Sequence, residues 1–129
     1  MRLSVPYVLS LLRIMAALLL LQHGTQKLLG FPAMAPGRAM PDLFTLRWVA
    51  GVIELVGGTL LALGLFTRPV AFILSGFTAV AYFMSHAPRG FFPILNGGEL
   101  AALYSFVFLY LSVAGGGPIS LDKVLRRID

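Results

Sequence analysis

The chain has 129 residues, of which 58% are hydrophobic and 12% are charged, and so few charges cannot give a soluble domain of this length a polar surface. It has no cysteine, which excludes disulfides, thiol redox chemistry and cysteine-ligated metal clusters, and we expect no metal site and no intrinsic cofactor. Its net charge of +5 comes from scattered Lys and Arg residues that cluster only at Lys123, Arg126 and Arg127, a distribution typical of membrane loops and helix ends and not of a nucleic-acid interface.

Four apolar segments follow one another along the chain. Each approaches the roughly 20 residues that a helix needs to cross a bilayer, and each is continuously apolar, which favours helices over alternating barrel strands. Glu54 is the only acid inside the second segment, and no fixed charge lies between Arg68 and Arg89 or between Glu99 and Asp122. We place the spans at about residues 6–29, 46–66, 69–86 and 98–116.

Turn-forming residues separate the four segments. Prolines and glycines fill the connection at residues 32–41, Thr67-Arg68-Pro69 makes a tight second connection, and Gly115-Gly116-Gly117-Pro118 ends the fourth segment. The sequence therefore predicts an all-α fold: one integral membrane domain over residues 1–129, a four-helix bundle with antiparallel up-down topology.

The first segment is expected to be a helix of the mature protein and not a signal peptide, because Arg13 precedes its apolar centre and no A-x-A-like cleavage site follows Leu21. Basic residues outside the spans indicate the orientation. With both termini in the cytoplasm, the inner side holds Arg2, Arg68, Lys123, Arg126 and Arg127, and the outer side holds Arg38, Arg47 and Arg89. The positive-inside rule favours this multi-pass arrangement with cytoplasmic N and C termini.

Polar side chains from all four segments are expected at one end of the bundle, because the ends of spans one and three lie beside the starts of spans two and four. The residues concerned are His23, Gln26, Lys27, Glu54, His86, Asn96 and Glu99. His23 lies ~9 Å before the end of its helix and Glu54 ~12 Å after the start of its own, so their depths match. Lone charges are costly in hydrocarbon. We therefore predict a network in which Glu54 and Glu99 compensate Lys27 and protonated His23 or His86.

Other charged side chains have simpler interpretations. Arg13 lies ~15 Å from His23 along the same helix, so we expect it to extend to the headgroups or to bond a hydroxyl such as that of Tyr110. Lys27 and Arg47 are also suited to anchoring helices at the interface. His86, just before a proline, is suited to capping a helix end.

Four motifs resemble those of the DoxX family: LLLLQHGTQKLLGF at 18–31, GVIELVGGTLLALGLFTRPVAF at 51–72, NGGELAALY at 96–104 and GPISLD at 117–122. They include H-G-x-x-K, E-x-x-G-G and G-G-E in chain order. The resemblance implies a small four-helix protein of the bacterial inner membrane, in which His23, Lys27, Glu54 and Glu99 match the family's polar signature. It also implies an association with redox systems, among them a small subunit of thiosulfate:quinone oxidoreductase, oxidoreductase complexes of the oxidative-stress response, and quinone-detoxification operons.

We expect an accessory, non-catalytic subunit of a quinone-linked or oxidative-stress redox system, with a polar pocket near the outer leaflet that binds a quinone or a lipid. Candidate hydrogen-bond donors to quinone carbonyls are His23, Gln26, Lys27 and His86, and candidate aromatic walls are Tyr82, Phe83 and Trp48. No flavin or nucleotide motif is present, so a partner's cofactor would carry the electrons. The expected partners are the bilayer and soluble or membrane oxidoreductase subunits.

Three alternatives remain open. The basic tail at residues 123–127 and the proline-rich loop at 30–42 would suit a membrane scaffold that recruits soluble oxidoreductases. Glutamate and histidine in a membrane would suit a small proton-coupled carrier, for which a homo-oligomer could supply the path. His23 and His86 could also hold a haem between them.

Overall fold

The computed structural model describes residues 4–125, and this part of the chain is helical and contains no strand. The elements are α1 (Ser4–Leu29), α2 (Leu46–Leu63), α3 (Thr67–Ser85), a 3₁₀ turn (Ala87–Arg89), α4 (Pro93–Asn96), α5 (Glu99–Ala114) and α6 (Leu121–Leu125). By length and composition, α1, α2 and α3 with the 3₁₀ turn can cross a membrane. The fourth predicted span is α5, a shorter apolar helix of 16 residues.

Local chemistry sets the helix ends and shifts some of them from the predicted bounds. α2 begins after Thr45, whose side chain accepts a hydrogen bond from the Trp48 N–H, and it ends before Gly64, which takes a left-handed φ of 71°. α3 begins two residues before Pro69, because the proline fits into the first turn of a helix. The predicted end at residue 66 and start at residue 69 were therefore wrong by two to three residues.

The helices form two tightly packed antiparallel pairs. In the α1–α2 pair, Gly24 faces Leu55 and Gly58 faces Leu21, so bare backbone lies against the neighbouring helix. In the α3–α5 pair, the Ser75 hydroxyl donates to the Ser105 carbonyl at 2.7 Å, and the Ser105 hydroxyl donates back to the Ser75 carbonyl at 3.0 Å. The pairs share one buried core, made of Ala16, Ala17, Leu20, Leu61, Ala71, Leu74, Tyr104, Phe108 and Leu111.

The outward faces of the same helices are apolar. Met15, Phe72 and Phe106 are 57%, 65% and 71% exposed, respectively. Large apolar faces that meet no other part of the chain need a nonaqueous surrounding. The protein is therefore an integral membrane protein.

Arg13 is buried, with 1% of its surface exposed, at the end of the bundle opposite Lys27. Its guanidinium donates to the carbonyls of Leu61 at 2.9 Å, Ile119 at 2.7 Å and Gly116. The prediction that Arg13 reaches the headgroups or Tyr110 was wrong. The physical reason is that carbonyls in the last turn of α2 and in the irregular segment after α5 are not all bonded within a helix and accept other donors, and the five N–H groups of arginine can serve several at once.

The segment that follows α5 folds back across this end of the bundle. Asp122 is fully buried, and its carboxylate accepts the N–H of Phe66 at 2.7 Å and of Thr67 at 2.9 Å. Its own N–H donates to the Gly64 carbonyl at 2.9 Å. The polar tail predicted after the fourth span is thus part of the fold. The basic residues Arg2, Arg126 and Arg127 lie outside the described residues.

Replacing Arg13 by alanine removes a buried guanidinium that donates to four backbone carbonyls, those of Leu61, Ala62, Gly116 and Ile119. We expect Arg13→Ala to lower the free energy of unfolding by about 3 kcal/mol, measured by equilibrium unfolding in mixed micelles. Arg89→Ala, which removes an exposed arginine, is the matched control and should change it by less than about 0.5 kcal/mol. Equal losses in the two variants would contradict the role given to Arg13.

A side chain at Gly24 cannot fit between α1 and α2, since its Cβ would lie 2.6 Å from the Leu55 nitrogen. We expect Gly24→Ala to cost about 2 kcal/mol of unfolding free energy through overpacking. Gly76 provides the control, because no atom lies within 4 Å of the position that a methyl group would occupy there. Gly76→Ala should be neutral or slightly stabilising, because alanine favours helix, and an equal loss at both sites would show that the helices separate easily.

Candidate functional site

An ion pair joins α1 and α2 inside the bundle. The Lys27 Nζ lies 2.7 Å from Glu54 Oε1, and the two side chains are 21% and 9% exposed. Gly51 makes this approach possible, because a Cβ there would lie 3.0 Å from the Lys27 Cβ. Glu54 therefore meets its compensating charge inside the protein, as the sequence predicted, and does not face lipid.

His23 lies beside this pair, one helical turn before Lys27. It is half-buried, and both Glu54 and Lys27 act on it electrostatically. The contact between Gly24 and Leu55 places His23 within about 3 Å of the depth of Glu54, which agrees with the predicted match. Neither ring nitrogen of His23 forms a hydrogen bond with any residue in the range 4–125.

Tyr104 reaches the same depth from α5, and it was not among the residues predicted from the sequence. Its side chain is 6% exposed, its ring stacks on Phe108 with centroids 5.4 Å apart, and its hydroxyl has no hydrogen-bond partner among the described residues. Glu54 acts electrostatically on this hydroxyl. The sequence held one signal: Tyr104 shares a helical face with Phe108 and Leu111, the buried face of α5.

Contacts between the helices place Glu54 and Tyr104 at the same depth along the helix axes. Leu74 lies against Gly57, and Ser75 is bonded to Ser105. Glu54 is three residues from Gly57 and Tyr104 is one residue from Ser105, both toward the same end of the bundle. At about 1.5 Å per residue, the two side chains then differ in depth by about 2 Å.

A second group surrounds Asn96 near the C-terminal end of α3. The buried Asn96 amide donates to the Tyr82 hydroxyl at 3.1 Å and to the Gly90 carbonyl at 2.9 Å, and its oxygen accepts the Gly98 N–H at 2.8 Å. His86 Nδ1 lies 3.2 Å from the Asn96 carbonyl oxygen. Every polar atom of the Asn96 side chain thus has a protein partner, and this group holds the connection between α3 and α5 in place.

His86 and Glu99 do not join Glu54 in the predicted network. His86 caps the C-terminal end of α3, 12 residues beyond Leu74, which puts it roughly 13 Å in depth from Glu54. The haem interpretation stays a prediction. Glu99 is exposed in the first turn of α5, where the helix dipole favours an acid, and it makes no ion pair within residues 4–125.

Gln26 and the expected aromatic walls also lie apart from the ion pair. The Gln26 amide donates to the Ala33 carbonyl at 3.1 Å and so fixes the loop after α1. Phe83 is 69% exposed, and the Trp48 ring packs on Phe44 with centroids 5.1 Å apart. Tyr104, by contrast, lies at the depth of Glu54.

A groove of about 290 Å³ lies at the opposite end of the bundle, between the start of α1 and the end of α5. Its lining consists of Ser4, Val5, Val8, Leu9, Leu12 and Tyr110. It contains none of the ionisable groups described above. We therefore define the candidate site by His23, Lys27, Glu54 and Tyr104, and refer to these four residues as the His23 site.

Apolar outer faces and a compensated charge inside the bundle define a small polytopic helical membrane protein. The sequence profile of the DoxX family matches residues 8–87, and the chain belongs to this family. It is similar to an uncharacterized protein of Haemophilus influenzae, with 54% identity over 123 residues, 92% of this chain and 90% of the relative.

Two further relatives are more distant. A second uncharacterized protein of Haemophilus influenzae is 33% identical over 84 residues, which cover 64% of this chain and 56% of the relative. The inner membrane protein YphA of Escherichia coli is 29% identical over 128 residues, 92% of this chain and 90% of the relative. No solved structure matches the chain.

The Lys27–Glu54 pair should behave as a coupled unit. Lys27→Met leaves a buried carboxylate uncompensated and should lower the unfolding free energy by about 3 kcal/mol, whereas adding Glu54→Gln removes the stranded charge and restores part of the loss. We expect a coupling energy of at least ~1 kcal/mol in this double-mutant cycle, measured by unfolding in mixed micelles. The matched cycle of Lys27→Met with Glu99→Gln should be additive, and additivity in both cycles would contradict the pairing.

Proposed function

We propose that this chain is an accessory membrane subunit of a quinone-linked redox system and that the His23 site binds the quinone head group. The observation that supports this is the position of His23 and Tyr104, which lie at the depth of Glu54 with hydrogen-bonding groups that have no partner in the described part of the chain. Such groups are costly inside a membrane protein unless a ligand or water bonds to them.

A quinone suits these groups chemically. It is a flat apolar ring with two polar oxygens, and it dissolves in the bilayer. The imidazole of His23 and the phenol of Tyr104 offer the few directed polar contacts that fix a ligand's orientation. His23 is half-buried, so part of its side chain is open to a molecule from outside the chain.

The residues of the His23 site bind and orient, and a partner supplies the redox cofactor. The chain lacks cysteine and carries no flavin or nucleotide motif, so an oxidoreductase subunit in the membrane or docked on it would exchange electrons with the bound quinone. The family resemblance to subunits of quinone-linked systems supports this assignment. The name of the Escherichia coli relative, an inner membrane protein, supports placement in the bacterial inner membrane.

The same proposal includes a four-helix bundle with up-down topology. α5 spans about 24 Å, somewhat less than the ~30 Å hydrocarbon core, and the loops at its ends would meet a locally thinned bilayer. An even number of spans puts both termini on one side. The basic residues near them favour the cytoplasmic side, with the His23 site toward the outer leaflet.

Quinone binding tests this proposal. Titrate the protein in lipid nanodiscs with menadione and with a short-chain ubiquinone analogue, and follow the heat of binding. We expect saturable binding of at least one quinone and about tenfold weaker binding by His23→Ala, a loss of about 1.4 kcal/mol for one hydrogen bond. The control is Gln22→Ala. Gln22 directly precedes His23 in α1 and is exposed, so its replacement should leave the quinone affinity unchanged.

Two results would contradict the proposal. One is the absence of saturable binding of either quinone to the unmodified protein. The other is binding that is equally strong in the unmodified protein and in His23→Ala, because the ligand would then bind elsewhere, for example in the apolar groove between α1 and α5.

A further inference from the structure

Only one of the two carboxylate oxygens of Glu54 has a hydrogen-bond donor among the described residues. Lys27 Nζ lies 2.7 Å from Oε1, and no residue within 4–125 donates a hydrogen bond to Oε2. Glu54 is only 7% exposed, but Oε2 is not among the fully buried polar atoms without a partner, so a donor from outside the chain can reach it. As one half of an ion pair, this carboxylate can only accept hydrogen bonds.

The Tyr104 hydroxyl is a hydrogen-bond donor that has no acceptor among the described residues. Only three buried side-chain polar atoms in the described part of the chain lack a hydrogen-bond partner, namely Arg47 Nε, Thr67 Oγ1 and Tyr104 Oη. Of these, the Tyr104 hydroxyl alone lies at the depth of Glu54. Stacking on Phe108 with planes 6° apart restricts the ring, so the hydroxyl is held in position and can donate one hydrogen bond.

These two groups distinguish between the oxidised and reduced forms of a quinone. The carbonyl oxygen of the oxidised form accepts hydrogen bonds but donates none, so it could bond to Tyr104 while it repelled Glu54 Oε2. The hydroxyl of the reduced form, a quinol, donates and accepts at the same oxygen. It can donate to Oε2 and accept from Tyr104 together.

We propose that the His23 site selects the quinol over the quinone, with one quinol hydroxyl bonded between Glu54 Oε2 and the Tyr104 hydroxyl. This inference rests on the proposed function and adds to it the redox form of the ligand and the residue that recognises it. Tyr104 is therefore a ligand-binding residue. Glu54 has two roles, because one oxygen binds Lys27 and the other binds the ligand.

The experiment compares the two redox forms of one compound. A short-chain ubiquinone analogue is titrated into nanodiscs in its oxidised form and, after chemical reduction and under argon, as the quinol. For the unmodified protein we expect the quinol to bind at least tenfold more tightly. Glu54→Gln replaces the acceptor by an amide that can donate to a carbonyl, so its preference should disappear or reverse.

Tyr104→Phe removes only the hydroxyl and leaves the Lys27–Glu54 pair intact, so it remains informative if Glu54→Gln does not fold. It should weaken quinol binding about tenfold, the usual effect of losing one hydrogen bond. Tyr110→Phe is the matched control, because Tyr110 lies on the same helix and is 54% exposed. It should bind the quinol as the unmodified protein does.

The outcomes separate this inference from the proposed function. Equal affinity for quinone and quinol in the unmodified protein would overturn the selection of the quinol and leave quinone binding in place. A preference for the quinol that Tyr104→Phe does not reduce would overturn the assigned contact. No saturable binding of either form would overturn both proposals together.

Discussion

A charge inside a membrane protein has to meet its complement within the fold, because hydrocarbon offers neither water nor counterions. Three such charges, Arg13, Glu54 and Asp122, organise the described part of this structure. At one end Arg13 donates to backbone carbonyls of Leu61, Gly116 and Ile119, and at the other end Glu54 meets Lys27. The hydrogen bonds of Arg13 hold the segment after α5 against the other helices. The Lys27–Glu54 pair fixes the position of α1 along α2.

Both arrangements depend on glycine. Gly24, Gly51 and Gly58 allow α1 and α2 to approach until backbone touches backbone, and only then does Lys27 reach Glu54. At the other end, Gly64 and Gly116 leave room for the guanidinium of Arg13, which lies about 3 Å from the position that a Cβ would occupy at either residue. The buried charges therefore depend on the glycines, because only close contact between the helices brings the charged groups to their partners.

The sequence predicted the three helices that can cross a membrane, the Lys27–Glu54 pair and the common depth of His23 and Glu54, because each follows from counting residues along an α-helix. It did not predict the role of Arg13, since its acceptors are carbonyls in the last turn of α2 and in the segment after α5, about 50 and 100 residues away, and any residue type carries a carbonyl. Tyr104 could not be predicted for a related reason: a tyrosine in an apolar helix has the same pattern whether its hydroxyl faces lipid or the core. Placing His86 and Glu99 with Glu54 failed because both residues lie at helix ends, whereas Glu54 lies about 12 Å from the start of α2.

The central claim is that unpaired polar groups of His23, Glu54 and Tyr104 face a bound molecule at one depth in the bilayer. An experimental structure of the protein crystallised from a lipidic phase, without added ligand, tests this claim most directly. We expect density for a nonprotein molecule within hydrogen-bond distance of Glu54 Oε2 and the Tyr104 hydroxyl. The claim would be contradicted if these two groups bonded to each other with no space between them, or if Glu54 faced lipid without Lys27.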